Sequence, residues 1–197
     1  MLLLPAPALA GDGDGSLLDD PRLEKVSEDL AGIFDALEDD GLPVGMLEAK
    51  IREGLVKKVA PEKILGAVRV LDGRLRKFAS LVEDASQPAT AGSYELGTQL
   101  LAFGLADTDA RRLLEGFSDA KLDAKDTEKG LLVTVMAVEK GKTPGQAVDH
   151  VLSILADGGK KGLDAEIAKH AGKGPKGKGP KGKSPKGKGP KSKGDGK

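Results

Sequence analysis

Three prolines stand at the start of segments in which apolar residues recur every three or four positions. Pro21 follows Asp20, Pro144 follows Thr143, and Pro61 opens a third such segment. Proline is favoured at the first position of a helix, where its missing N–H would have no partner, and Asp or Thr before it can cap the helix. Apolar residues at this spacing share one helix face. The pattern therefore predicts a chain built from amphipathic helices.

The spacing predicts an all-α fold, an irregular array of about seven to eight helices arranged as stacked helical hairpins. Glycine and proline separate the segments, as in Gly41-Leu42-Pro43 after the first helix. We expect one helical domain over 20–170, with possible sub-units 20–82 and 93–158 joined by a linker. The expected helices cover residues 21–39, 44–58, 61–82, 94–105, 107–117, 126–140 and 144–157.

Residues 131–138 are β-branched enough to resemble a strand, because three valines and Thr134 stand among their apolar side chains. We interpret them as helical for two reasons. The Thr143-Pro144 helix start follows closely, and the chain offers no second strand to pair with this one.

An internal repeat supports the hairpin interpretation in part. Aligning Pro61 with Pro144 matches the apolar residues that follow each proline. The residues before the prolines match less well, since Ile51 falls opposite Thr134. The matched sets are Ile64, Leu65, Val68 and Leu71 with Ala147, Val148, Val151 and Ile154.

Residues 171–197 form a low-complexity Lys, Gly and Pro tail, with prolines at 175, 180, 185 and 190. Such a segment buries too little apolar surface to offset its ordering entropy, so we expect it to be disordered. Lysines without aromatic neighbours suit non-specific, salt-sensitive attraction to a polyanion. The alternative is a purely solubilising extension. The predicted polyanion-binding residues are Lys173, Lys176, Lys178, Lys181, Lys183, Lys186, Lys188, Lys191, Lys193 and Lys197.

The net charge of zero conceals a strong asymmetry between the domain and the tail. Without the tail's ten Lys and one Asp, residues 1–170 hold 21 basic and 30 acidic residues. The domain then carries a charge of −9 and the tail +9. The domain therefore offers an acidic surface for an unknown protein partner, and the tail can also be attracted to that surface.

The N-terminal ten residues resemble the end of a secretory signal peptide, since an apolar run ends in Ala8-x-Ala10. The run lacks a basic start and is short for a signal, so we interpret it as truncated, with cleavage after Ala10 and a flexible spacer over 11–19. This predicts a periplasmic or secreted protein. If the run is a loose uncleaved arm, the alternative is a cytoplasmic protein. No segment is long enough for a membrane span.

Candidate catalytic and metal-binding residues are few. The chain has no Cys, and Asp12, Asp14 and Ser16 match only the first half of an EF-hand loop, whose required Gly and Glu are replaced by Leu17 and Leu23. The two histidines, His150 and His170, are far apart in sequence and are expected on the surface. The remaining candidates are serines 27, 93 and 118, interpreted as exposed or capping residues, and the acidic groups 38–40 and 119–126, interpreted as solvated helix ends. We therefore expect no enzyme activity, cofactor or metal.

Two resemblances add to these expectations. The segment Glu-Gly-Leu-Val-Lys-Lys-Val-Ala-Pro-Glu-Lys-Ile at 53–64, after Gly41-Leu42-Pro43, resembles hairpin units of uncharacterised exported bacterial proteins over residues 41–82. That resemblance implies export and helical repeats, without an activity. Ser184-Pro185-Lys186 is similar to lysine-rich linker-histone tails. The sequence thus predicts an exported helical interaction protein whose tail adheres to anionic envelope material, or alternatively a cytosolic protein that associates with nucleic acid.

Overall fold

The computed structural model describes residues 17–171, and within that range the chain is helical with no strand. The expected all-α fold is confirmed. Two short 3-10 turns, Leu17–Asp19 and Pro21–Leu23, precede the first α-helix. The seven α-helices of the described range are α1 Ser27–Asp39, α2 Gly45–Val56, α3 Pro61–Asp84, α4 Ala91–Ala102, α5 Asp107–Asp119, α6 Ala124–Glu139 and α7 Pro144–Ala171.

The first expected helix begins later than its proline suggested. Asp20 accepts a hydrogen bond from the Arg22 backbone N–H and caps the 3-10 turn at Pro21–Leu23, and α1 starts only at Ser27. Leu17 and Leu18, which we assigned to the flexible spacer, pack partly buried against the core. The cap and the proline therefore mark where helical backbone begins, but the first turn is a 3-10 turn.

The other helix starts follow local capping chemistry. Thr90 and Ser93 form a reciprocal capping box at the start of α4, which begins three residues before the expected start. Asp123 caps α6 by accepting a hydrogen bond from the Asp126 backbone N–H. Residues 131–138 are helical as expected, and Thr143 caps α7 through the Gln146 backbone N–H.

The helices pack in two layers. In one layer α1 contacts α3, α3 contacts α5 and α5 contacts α7, so that every second helix of the chain lies side by side. In the other layer α4 contacts α6. Contacts of α2 with α3, α3 with α4, and α6 with α7 join the layers. This is the stacked-hairpin arrangement that the sequence predicted.

Two clusters of buried side chains form the core, and α3 belongs to both. Its residues from Ile64 to Leu75 pack with α1 and α2. Its last turns, including Phe78 and Val82, pack with α4 to α7. Tyr94 contacts both clusters, and its ring meets that of Phe78 edge to face at 6.4 Å. The boundary between the two clusters therefore falls inside α3.

Each of α1 to α6 ends in the same C-terminal motif. The residue after the C-cap has positive φ, and it and the next residue donate backbone hydrogen bonds to carbonyls of the last turn, which is a Schellman motif. Glycine occupies the positive-φ position in three helices. The six positions are Gly41, Lys58, Ser86, Gly104, Lys121 and Gly141.

Helix α7 contains a backbone break at Gly159, whose φ of 54° and ψ of −143° are not helical. We call residues 144–158 its first arm and residues 160–170 its C-terminal arm. A straight helix would separate His150 and Glu166 by about 24 Å. Their side chains lie 3.6 Å apart, so the C-terminal arm folds back on the first arm.

Candidate functional site

The predicted tail lysines, Lys173 to Lys197, lie outside the described residues, as do the signal segment and the partial calcium motif at Asp12, Asp14 and Ser16. The charged side chains of residues 17–170 are therefore the groups whose surroundings the structure gives. Three sets of these groups connect different helices or the two arms of α7: an ion-pair layer, a buried carboxylate at the start of α6, and a histidine cluster on α7.

Ion pairs connect the four helices of the layer formed by α1, α3, α5 and α7. We call these pairs the ion-pair layer. Two pairs join α1 to α3, two join α3 to α5, and one joins α5 to α7. They are Asp29–Arg69 (2.9 Å), Asp40–Arg76, Asp107–Lys77 (2.5 Å), Asp84–Arg111 (2.8 Å) and Asp149–Arg112 (2.7 Å).

The ion-pair layer neutralises basic side chains that the sequence left unassigned. Arg76 binds the carboxylates of both Asp40 and Asp72. Exposed pairs of this kind contribute at most about 1 kcal/mol each. These pairs matter more for anion binding than for stability. An arginine already bound to a carboxylate of its own chain is a poor site for an external anion.

Asp126 is a buried carboxylate and not the solvated helix-end residue that we expected. Its carboxylate lies 2.9 Å from the Lys160 ammonium and 3.1 Å from that of Lys129. The hydrogen bond from Lys160 lowers the pKa of Asp126, burial opposes this, and Lys129 lowers the pKa further. Lys129 also pairs with Asp164, at 2.8 Å. The cluster thereby fastens the C-terminal arm of α7 to the start of α6.

The two histidines meet at one carboxylate, although 20 residues separate them in sequence. His170 Nε2 lies 3.0 Å from Glu166 Oε1, and His150 Nε2 lies 3.6 Å from the same atom. Lys169 donates to Glu166 Oε2 at 2.9 Å. The hydrogen bond from Lys169 lowers the pKa of Glu166 to about 2 against the effect of burial, with smaller contributions from His170 and His150. Both rings are partly exposed, as expected for surface residues, but they are not isolated from each other.

This cluster consists of ion pairs and a hydrogen bond. No group of three or more His, Cys, Asp or Glu within residues 17–170 is arranged to hold a metal ion. Two of the three candidate serines form local hydrogen bonds. Ser93 is buried in the α4 capping box, and the Ser27 hydroxyl donates to the Glu24 backbone carbonyl. Arrangements of this kind fix helix ends and tertiary contacts.

A shallow open groove of about 640 Å³ lies where the two 3-10 turns meet the start of α1, and its lining includes Asp19, Asp20, Glu24 and Glu28. Neither Glu24 nor Glu28 forms an ion pair within the described part of the chain. Part of the domain's negative charge is therefore free to attract cations.

Among residues 17–171, no helix is both long and apolar enough to cross a membrane. Comparison of the whole chain with known protein families, curated proteins and solved structures gives no match.

Proposed function

We propose that this protein is a non-enzymatic, exported helical interaction protein whose lysine-rich tail adheres without sequence specificity to anionic envelope material. The observation that carries the proposal is the division of charge. The tail concentrates ten lysines in 27 residues, and no acidic residue precedes Asp195 there. Several domain cations, by contrast, are held by carboxylates of the domain itself, as in the ion-pair layer.

Counterion release explains why such a tail would bind. Each lysine that binds a polyanion displaces a condensed cation, and the release of that cation favours binding. This contribution to the binding free energy becomes smaller as the salt concentration rises. Lysine is a compact charge without a planar fork, so the contacts specify charge density and not a particular chemical group. The acidic domain has the opposite preference and would favour a basic partner protein or the tail itself.

Two full-length variants test whether the tail is the binding element. Lys176→Gln with Lys178→Gln removes two tail charges, and Lys140→Gln with Lys142→Gln removes two exposed domain charges, so both variants have the same net charge. We expect the tail variant to bind anionic lipid vesicles more weakly, with a shallower dependence on salt from about 50 to 200 mM. The domain variant should bind as the wild type does. Equal losses in both variants would refute the proposal.

A cytosolic nucleic-acid-associated protein is the alternative, supported by the similarity of Ser184-Pro185-Lys186 to lysine-rich linker-histone tails. The mass of the native protein from fractionated cells distinguishes the two. A chain that begins at Gly11 in the envelope fraction would support export. An intact Met1 in the cytosol would favour nucleic acid, and duplex DNA would then replace vesicles in the binding assay.

A further inference from the structure

The C-terminal arm of α7 is a separate packing element. Gly159 allows the chain to reverse, since its positive φ is strained for any residue with a side chain. The arms then approach closely, because a Cβ at Gly162 would lie 2.9 Å from the Ile154 carbonyl oxygen. Leu163 is fully buried against the core, and Ile167 packs beside it partly buried. Two apolar side chains thus hold an 11-residue arm in place.

Charged contacts hold the same arm at three points. Lys160 binds Asp126, and Asp164 binds Lys129, so each of these contacts joins a carboxylate to an ammonium. The third contact joins Glu166 to His150 of the first arm. Imidazole is the one group in the three contacts whose ordinary charge change falls between pH 5 and 8.

We propose that protonation of His150 latches the C-terminal arm onto the first arm, so that the arm opens more readily as the pH rises. His150 Nε2 and Glu166 Oε1 are 3.6 Å apart, which is long for a hydrogen bond from a neutral imidazole but suitable for an ion pair. Lys169 and His170 also hold Glu166, yet both lie on the arm itself and move with it. Among residues 17–170, His150 is the residue that links this carboxylate to the first arm.

The surrounding charges leave the direction of the effect unchanged. Asp149, next to His150, is engaged by Arg112 of α5, and Lys129 of α6 is engaged by Asp126 and Asp164. Lys169 opposes the charge on His150, but it is largely exposed and its field is screened. A proton on His170 as well would offset part of the gain. Opening would uncover Leu163 and the apolar surface beneath it, whatever the tail binds.

Hydrogen exchange measured by NMR on the full-length protein tests the latch. Protection of the Leu163 and Ile167 amides is compared at pH 5.5 and 7.5, corrected for intrinsic exchange and referred to the Leu100 amide of α4. We expect wild-type protection of the arm to be about two- to five-fold higher at pH 5.5, the range for a partly exposed ion pair. His150→Gln should give the lower protection at both values.

Two further variants make the result decisive. His150→Lys carries a permanent charge and should give the higher protection at both pH values, a gain that unfolding cannot produce. His170→Gln, the matched control on the arm, should keep a pH dependence at least as large as that of the wild type. The proposal is overturned if His150→Gln responds to pH as the wild type does, or if His150→Lys leaves protection at pH 7.5 unchanged.

Discussion

The ring of Phe78 on α3 lies directly against the backbone of Gly97 on α4. A Cβ at Gly97 would come within 2.2 Å of the Cε1 and Cζ atoms of that ring. Phe78 is itself 1% exposed and meets Tyr94 edge to face. The absence of a side chain at Gly97 therefore lets α3 and α4 approach at the point where the two core clusters join.

Gly97→Ala should destabilise the protein by about 2 to 4 kcal/mol, because the buried ring has no free volume into which to move. Gly66→Ala on α3 is the matched control, since a Cβ there meets nothing within 4 Å. We expect that control to be stabilised by about 0.5 to 1 kcal/mol through helix propensity. Urea unfolding followed by circular dichroism measures both, and equal effects would contradict the packing argument.

Thr98 carries a buried hydroxyl, Oγ1, that finds no hydrogen-bond partner within the described residues. Thr98→Val replaces that hydroxyl with a methyl group, so we expect a gain of about 1 to 2 kcal/mol in the free energy of unfolding. Thr134 is the comparison, because its equally buried hydroxyl donates to the Gly130 carbonyl at 2.8 Å. Thr134→Val should leave the free energy of unfolding unchanged or lower it by up to about 1 kcal/mol. If Thr98→Val instead lowers the free energy of unfolding, the Thr98 hydroxyl has a hydrogen-bond partner in solution.

Helix starts could be predicted from the sequence where a single residue, such as a proline or a capping threonine, determines the local backbone. Pro61 and Pro144 begin helices where expected, and Thr143 caps α7. The 131–138 run is helical despite its β-branched residues, since its length and the adjacent cap outweigh a small intrinsic preference. Lys58 and Gly141, which the repeat alignment places opposite each other, both have positive φ, but this does not single out the repeat because each of α1 to α6 ends in the same motif.

The contacts around charged residues could not be predicted, because they join residues distant in sequence. Arg112 and Asp149 are 37 residues apart, and their meeting depends on how α5 packs on α7. The histidine cluster depends on the reversal at Gly159. One local signal was present, since Gly158-Gly159 followed by Leu163 and Ile167 four residues apart indicates a break and a short amphipathic arm. Asp126 looked solvated because its burial comes from the packing of that arm.

The Schellman motif of α2 provides a third prediction, since Lys58 holds a φ of 54° where glycine is favoured. An L-residue pays about 1 to 2 kcal/mol for this conformation, and glycine loses part of that advantage through its freedom in the unfolded chain. Lys58→Gly should therefore stabilise the protein by about 0.5 to 1 kcal/mol. Lys57→Gly, at a C-cap with φ of −80°, should destabilise by a similar amount. If the urea midpoints of Lys58→Gly and Lys57→Gly move in the same direction, the positive φ at Lys58 is not the cause of the effect.

Glu166 provides a prediction in acid. Its pKa in the folded protein is about 2, against an ordinary value of 4.5, so its ionised form stabilises the fold above pH 4.5 and that contribution is lost as the pH falls towards 2. Glu166→Gln should lower the free energy of unfolding at pH 7 by about 1 to 2 kcal/mol, after allowance for screening around the exposed Lys169. The difference from wild type should shrink below pH 4.5.

The control for this measurement is Glu115→Gln, an exposed substitution on α5 that should change stability by less than about 0.5 kcal/mol at either pH. Urea unfolding at pH 7, 4.5 and 3 measures all three proteins. If Glu166→Gln and wild type differ equally at pH 7 and pH 3, the carboxylate charge does not hold the arm. The C-terminal arm would then depend on the burial of Leu163 and on the Lys160–Asp126 and Lys129–Asp164 pairs.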